Sequence, residues 1–271
     1  MANTAGSGSD GLFVGQALAQ AEDLITITIN YRLGPLGFLT QTKAGAGGMH
    51  GLADMVVALQ WVQENAAAFG GDPGSVMVFG ESAGGCATCT LSVSPAASGL
   101  MRTAIVQSGP CLGPWEPAPI KLGLALRDAL FAAHGVASMA GLGAVAPEKL
   151  VWPLPTGGFF LDDGLIMPQQ PKLYLEQGKL NVDSIIFGSN SFDGTSALLP
   201  LYPKPNASQA ALDVAVAAYF GVEKAAAILR QYSLSRFQGS AAASFNEADS
   251  DHCTWRVCAC LLYLPILSVQ P

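Results

Sequence analysis

The pattern of apolar residues along the chain predicts strands that alternate with helices. Residues Leu24 to Asn30 are rich in β-branched side chains and run into Gly34-Pro35, which predicts a buried central strand that ends at a turn. From Gly51 onward, apolar residues recur every three or four positions, which predicts a helix with one apolar face. These residues are Leu52, Met55, Val56, Leu59 and Val62. We expect this helix to cover a sheet.

Further β-rich runs and helical patterns continue the alternation. Three short strands are predicted, at Val76 to Phe79, Ala104 to Gln107 and Ser184 to Phe187. Helices are predicted after the first of these strands to about Val93, and in the alanine-rich stretches Pro117 to Pro153 and Gln209 to Tyr232. Such alternation indicates an α/β fold with a mainly parallel central sheet and helices on both faces.

The chain changes character near its end. Residues 1–250 are predicted to form one α/β domain, and residues 251–271 an atypical C-terminal tail. The tail contains Cys253, Cys258 and Cys260 and then an apolar run without charge. The six cysteines of the chain are too few and too unevenly spaced to indicate a disulfide framework. They also lack the paired spacing of a zinc site, so no metal site is predicted.

Charge and hydropathy exclude two classes of partner. The net charge is −7 and no run of lysine or arginine occurs, so we expect no nucleic-acid partner. No segment reaches the roughly 18 consecutive apolar residues that predict a membrane span.

A secretory leader is not visible, since the first positive residue is Arg32. The compartment is therefore left open.

One motif carries chemistry. Gly80-Glu81-Ser82-Ala83-Gly84 matches Gly-x-Ser-x-Gly, the nucleophile elbow, in which a serine occupies a strained turn between a strand and a helix. Here the motif directly follows a β-rich run and opens a helical stretch, which is the context that the elbow requires. We expect a Cβ atom at either flanking glycine to collide with the neighbouring strand or helix.

A serine nucleophile needs a histidine base and a carboxylate that orients the histidine. In the elbow folds the carboxylate follows a later strand, and Asp193 fits, although it also fits a solvated loop. Of the three histidines, His50 precedes the serine and His134 precedes the acid, so both have the wrong order. His252 has the right order and is the remaining, weak candidate for the base.

Two long blocks resemble signatures of the type-B carboxylesterases and cholinesterases. They are Asn30-Tyr-Arg-Leu-Gly-Pro-Leu-Gly-Phe38 and Gly80-Glu-Ser-Ala-Gly-Gly85. Between them, Gly51-Leu-Ala-Asp54 and Phe69-Gly-Gly-Asp-Pro73 are similar to the family in order and spacing, and the resemblance covers most of residues 5–200. It implies a partial α/β-hydrolase fold, hydrolysis of a small-molecule ester and no cofactor.

The resemblance also implies roles for individual residues. Ser82 corresponds to the acyl-accepting nucleophile, and the backbone amide of Ala83 to one donor of the oxyanion hole. Asp193 stands where the family usually has a glutamate.

The chain also departs from the family. The His-Gly-Gly-Gly block that supplies the other oxyanion donors is expected just before a segment like Gly6-Ser7-Gly8, and the histidine base much farther along. We therefore expect a chain truncated at both ends, with little or no turnover. A catalytically inactive, cholinesterase-like binding or adhesion protein and a truncated gene product are the alternatives. The ester and the oligomeric state are not predicted.

Overall fold

The computed structural model describes residues 6–13, 15–41, 47–109, 111–112, 116–151, 166–190, 204, 206–245 and 248. Contacts divide the described residues into two compact units, one up to Phe187 and one from Gly188 to residue 248. The predicted division into residues 1–250 and a tail stays a prediction, because residues 251–271 lie outside the described residues.

A three-stranded sheet organises the first unit. Its strands are β1 (Met77–Glu81), β2 (Thr103–Gln107) and β3 (Ser184–Gly188), in the order β1-β2-β3. β1 and β2 are parallel, and their register places Glu81 opposite Gln107, so both strands end at the same edge of the sheet. The three short strands predicted from the sequence are confirmed. Their bounds differ from the prediction by one residue at three ends and by two at one, and agree at the other two.

Helices and single 3₁₀ turns make up the rest of the described secondary structure of the two units. The α-helices are α1 (Gln16–Glu22), α2 (Gly34–Phe38), α3 (His50–Asn65), α4 (Ala83–Leu91), α5 (Ile120–Ala133), α6 (Met139–Leu142), α7 (Pro171–Glu176), α8 (Gln209–Phe220) and α9 (Val222–Gln231). The 3₁₀ turns are Gly11–Phe13, Ala66–Phe69, Pro73–Ser75, Pro95–Ala97, Pro147–Lys149 and Leu234–Phe237. α2 replaces the simple turn expected at Gly34-Pro35, because Pro35 at the start of a helix has the φ angle that the helix needs.

The core of the first unit lies where α3 and α4 meet the sheet. α4 packs on both β1 and β2. The predicted apolar face of α3 is confirmed, since Leu52, Met55, Val56, Leu59 and Val62 are all buried. Burial of this face drives the packing of the helix.

The second unit has a small core of its own. The predicted helical stretch from Gln209 consists of two helices, α8 and α9, because Gly221 between them adopts a φ of 90° that no helix continues through. Their inner faces bury Leu212, Val216 and Ala225 against Phe245.

The segment Leu24 to Asn30 differs from its prediction. It is extended, as its β-branched residues favour, but among the described residues it belongs to no sheet. A strand needs a neighbouring chain for its backbone hydrogen bonds, and local sequence cannot supply one. Three of its apolar side chains, Leu24, Ile25 and Ile27, are between 41% and 46% exposed instead of buried.

The outer edge of β1 is also open. β1 is the first strand in the order of the sheet and forms a ladder with β2 alone among the described residues. Met77 and Phe79, which project from the same face of this strand, are exposed. Within the described part of the chain, β1 is therefore an apolar edge strand.

Candidate active site

Ser82 lies at the junction of strand and helix that the motif predicts. β1 ends at Glu81, α4 begins at Ala83, and Ser82 between them has φ 55° and ψ −116°. A positive φ is unfavourable for a residue with a Cβ atom, and such strain concentrates at functional sites. The side chain is exposed to solvent at the C-terminal edge of the parallel strands, where ligands of α/β folds bind.

Backbone hydrogen bonds hold this conformation on both sides. The amide of Ser82 donates to the carbonyl oxygen of Gln107, at the end of β2, over 2.9 Å. The carbonyl oxygen of Ser82 accepts from the amide of Cys86, also over 2.9 Å, and so starts the hydrogen bonding of α4. The serine is thereby fixed to the neighbouring strand as well as to its own helix.

The two glycines of the motif have different roles. A Cβ atom at Gly80 would overlap the backbone of Gly84, so the predicted collision is confirmed at this position. At Gly84 the prediction is wrong, because a Cβ atom there would meet nothing within 4 Å. The next glycine is the crowded one: a Cβ atom at Gly85 would lie 2.8 Å from the carbonyl oxygen of Gln107.

Gly109 belongs to the site, although sequence reasoning missed it. A Cβ atom on Gly109 would overlap the carbonyl oxygen of Ser82 and lie 2.9 Å from the amide nitrogen of Cys86. Ser108 beside it has a φ of 51°, a second non-glycine residue in the left-handed region. The predicted parallel sheet could have pointed to Gly109. This glycine follows β2 at the same edge of the sheet at which Ser82 follows β1.

The first turn of α4 provides hydrogen-bond donors next to the serine. The initial amide groups of a helix have no partner within the helix, and the positive end of the helix dipole favours negative charge there. Ala83 is the first residue of α4, so its amide lies in this position, directly after Ser82. This placement suits the predicted oxyanion donor, whose role stays a prediction.

The acid and the base are not placed by the structure. Asp193 and His252 both lie outside the described residues, so their predicted roles remain untested. The other two histidines are described, and neither forms a hydrogen bond with Ser82 among the described residues. His134 follows the last residue of α5, and His50 begins α3.

His50 has a partner of its own. The Nε2 atom of its ring lies 2.9 Å from Nε2 of Gln41, which donates to the neutral ring. Burial lowers the pKa of His50, and the nearby Arg32 guanidinium lowers it further, whereas Asp54 raises it in part. Arg32 itself is held by Asp54 through two side-chain hydrogen bonds of 2.8 and 2.7 Å. His50 therefore belongs to a polar cluster at the start of α3.

This environment predicts a pH dependence of stability. Because the unfolded chain holds the His50 proton more tightly than the folded chain, the free energy of unfolding should fall as the pH drops below about 6.5. His50→Gln should lose part of this slope. Urea unfolding at about pH 8, 6.5 and 5 measures this pH dependence for the parent protein and for His50→Gln. An unchanged slope in the variant would show that His50 is not its source.

A disulfide lies beneath the site. Cys89 of α4 and Cys111 are bonded, with their Cα atoms 5.4 Å apart, and both side chains are buried. The sequence predicted no framework of disulfides, and this single bond was missed. Cys86, one turn away, is outside the disulfide, and burial raises the pKa of its thiol to about 12. It is protonated at neutral pH and is a poor nucleophile.

Other candidate features do not involve Ser82. Two surface cavities of about 550 and 220 Å³ are lined by other residues, the larger by Gly15, Gln16 and the extended segment near Thr26. Among the residues that the structure describes, no group of histidine, cysteine and acidic side chains could hold a metal ion. In the same part of the chain, no helix is long and apolar enough to cross a membrane.

Comparison with known proteins finds a family match for the part of the chain that contains Ser82. The sequence profile of the carboxylesterase family matches residues 2–134. This segment belongs to the carboxylesterase family. It contains Ser82, the strand and helix around it, and Gly109, so the site described above lies within the carboxylesterase segment.

Curated proteins similar to the carboxylesterase segment are named lipases and esterases. The chain is 48% identical over 104 residues to the bile salt-activated lipase of Homo sapiens, a match that covers 38% of this chain and 14% of the lipase. It is 49% identical over 106 residues to the para-nitrobenzyl esterase of Bacillus subtilis (strain 168), covering 38% and 22%. The cocaine esterase of Oryctolagus cuniculus is 42% identical over 144 residues, covering 53% and 26%. The matches thus span about a quarter or less of these relatives.

Solved structures extend the likeness beyond the carboxylesterase segment. A thermophilic PNB esterase superimposes with a TM-score of 0.76 at 28% identity, over 96% of this chain and 55% of that chain. A second PNB esterase gives 0.74 at 28% identity, over 96% and 56%. The predicted α/β class, with a parallel sheet and helices in the manner of the carboxylesterases, is confirmed. The chain corresponds to little more than half of these structures.

Proposed function

We propose that this protein cleaves carboxylic esters through an acyl-serine intermediate at Ser82. The observation that carries the proposal is the strained conformation of Ser82 between β1 and α4, at the C-terminal edge of the parallel strands. The family of residues 2–134 and the names of the similar proteins support ester hydrolysis as the reaction class.

The proposed chemistry begins with attack of Ser82 Oγ on the ester carbonyl carbon. The hydroxyl proton passes to a base, the carbonyl oxygen becomes an oxyanion, and the alcohol leaves as the acyl-serine forms. The amide of Ala83 would donate to the oxyanion, because it lies at the first turn of α4 beside the serine. Water then attacks the acyl-serine and releases the carboxylic acid. We propose Asp193 as the group that orients the histidine base.

A fluorophosphonate probe tests this assignment. It reacts with an activated serine and leaves a stable phosphonyl adduct, which mass spectrometry locates on a peptide. We expect one adduct, at Ser82. Oxyanion donors beside a serine support part of its reactivity by themselves. Turnover of a short p-nitrophenyl ester should exceed that of the Ser82→Ala variant.

Two variants make the result specific. Ser82→Ala should lose the adduct completely, whereas Ser98→Ala, which removes an exposed serine after the turn Pro95–Ala97, should keep it. Absence of the adduct from a folded protein would refute the proposal and favour a non-catalytic binding protein. Ester turnover that is equal in the parent protein and in Ser82→Ala would count against the proposal as well.

A further inference from the structure

One serine and two cysteines line one face of α4. Ser82, Cys86 and Cys89 are spaced by four and three residues, so they follow one another along the same side of the helix. The turn formed by residues 107–109, which we name the 107–109 turn, packs on this face at its upper end. Gly109 contacts the backbone of Ser82, and the disulfide to Cys111 joins the face two turns lower.

The contacts at the upper end involve two strained residues. Ser82 has a φ of 55° and Ser108 a φ of 51°. Residues in this region persist only where their surroundings hold them. Here the surroundings are the hydrogen bond from the Ser82 amide to Gln107 and the close approach of Gly109. Each of these restraints depends on the 107–109 turn staying against α4.

We propose that the Cys89–Cys111 disulfide is the positioning device of the elbow. By joining α4 covalently to the chain that leaves β2, it keeps the 107–109 turn against the first turn of α4 and so holds Ser82 in its strained conformation. The expected effect of the disulfide on the reactivity of Ser82 rests on the proposed function. The expected effect on the backbone conformation of Ser82 does not.

The chemistry of the bond makes the restraint reversible. A phosphine supplies two electrons, the S–S bond breaks, and water provides the oxygen of the phosphine oxide and the two protons of the new thiols. Oxidised glutathione, added in return, restores the bond and is itself reduced to two glutathione thiols. Cys89 is 1% and Cys111 0% exposed, so the phosphine is applied in mild urea, which is then removed.

Hydrogen exchange at single-residue resolution tests the positioning directly. In Cys89→Ala/Cys111→Ala the amide of Ser82 should exchange on the order of tenfold faster than in the parent protein, because its bond to Gln107 opens more often. Two reference amides should be unchanged: that of Ala66, which donates to Val62 of α3, and that of Leu212, which donates to Ser208 just before α8. Cys86→Ala is the matched control, since it removes a buried thiol of α4 outside the disulfide.

The reactivity of Ser82 provides the second readout. Fluorophosphonate labelling should slow on the order of tenfold in the double variant and after reduction, and should recover once peptide mapping shows that the Cys89–Cys111 bond has re-formed. An unchanged Ser82 exchange rate, or an equal rise at all amides, would overturn the positioning role. If the parent protein never labels, the proposed function fails, while the exchange rates still decide this inference.

Discussion

Gly109→Ala is expected to lower the free energy of unfolding by about 3 kcal/mol, the upper part of the usual range for overpacking. The new Cβ atom would overlap the carbonyl oxygen of Ser82, which is backbone and cannot rotate away as a side chain does. Either the 107–109 turn or the first turn of α4 must move, and the hydrogen bond between Ser82 and Gln107 is lost with the contact. Urea unfolding followed by circular dichroism measures the change.

Gly84→Ala is the matched control for this substitution. It adds the same methyl group to a glycine of the same site, but the added atom would meet nothing within 4 Å. Since alanine is a better helix former than glycine, its free energy of unfolding should stay the same or rise by up to about 1 kcal/mol. Equal losses for the two variants would show that Gly109 is not the crowded position.

Phe38→Ala is expected to cost about 3 to 5 kcal/mol, as removal of a buried aromatic ring does. Phe38 is 1% exposed and belongs to the main core cluster with Leu52 and Met55. Its ring lies against Gly51, where a Cβ atom would come within 2.5 Å of the ring. The site is thus closely packed, and truncation leaves a cavity that the surrounding backbone cannot fill.

Phe13→Ala provides the comparison for Phe38→Ala. Phe13 is 52% exposed, so its truncation should change the free energy of unfolding by less than about 1 kcal/mol. Both variants are compared by urea unfolding at one pH, because protonation of His50 adds its own contribution. A small loss for Phe38→Ala would contradict its place in the core.

The elements that were predicted correctly are those whose cause is local. The apolar spacing from Leu52 to Val62 specifies one helix face, and a β-rich run followed by Gly-x-Ser-x-Gly specifies a strand, turn and helix. Leu24 to Asn30 shows the limit of such reasoning. Its residues favour extended backbone, which it adopts, but membership of a sheet depends on a partner distant in sequence.

The parts of the site that were missed arise from tertiary structure. The spacing of the motif does not tell which glycine has no room for a Cβ atom. In the structure Gly80 has none, whereas Gly84 has room for one. Gly109 lies 27 positions beyond Ser82, and Cys89 and Cys111 are 22 apart, so each contact forms only after β1 and β2 pair. Pairing of two parallel strands brings such residues together, and no local pattern records it.

The open edge of β1 has a consequence for the protein in concentrated solution. Met-Val-Phe-Gly-Glu presents a β-forming strand with neither lysine nor proline, the residues that commonly prevent unwanted strand addition. Two molecules that meet along such edges can continue one sheet into the other. The net charge of −7 opposes this encounter at low ionic strength, and added salt screens the repulsion. If β1 has no further partner than those among the described residues, edge-to-edge aggregation should increase as salt is raised.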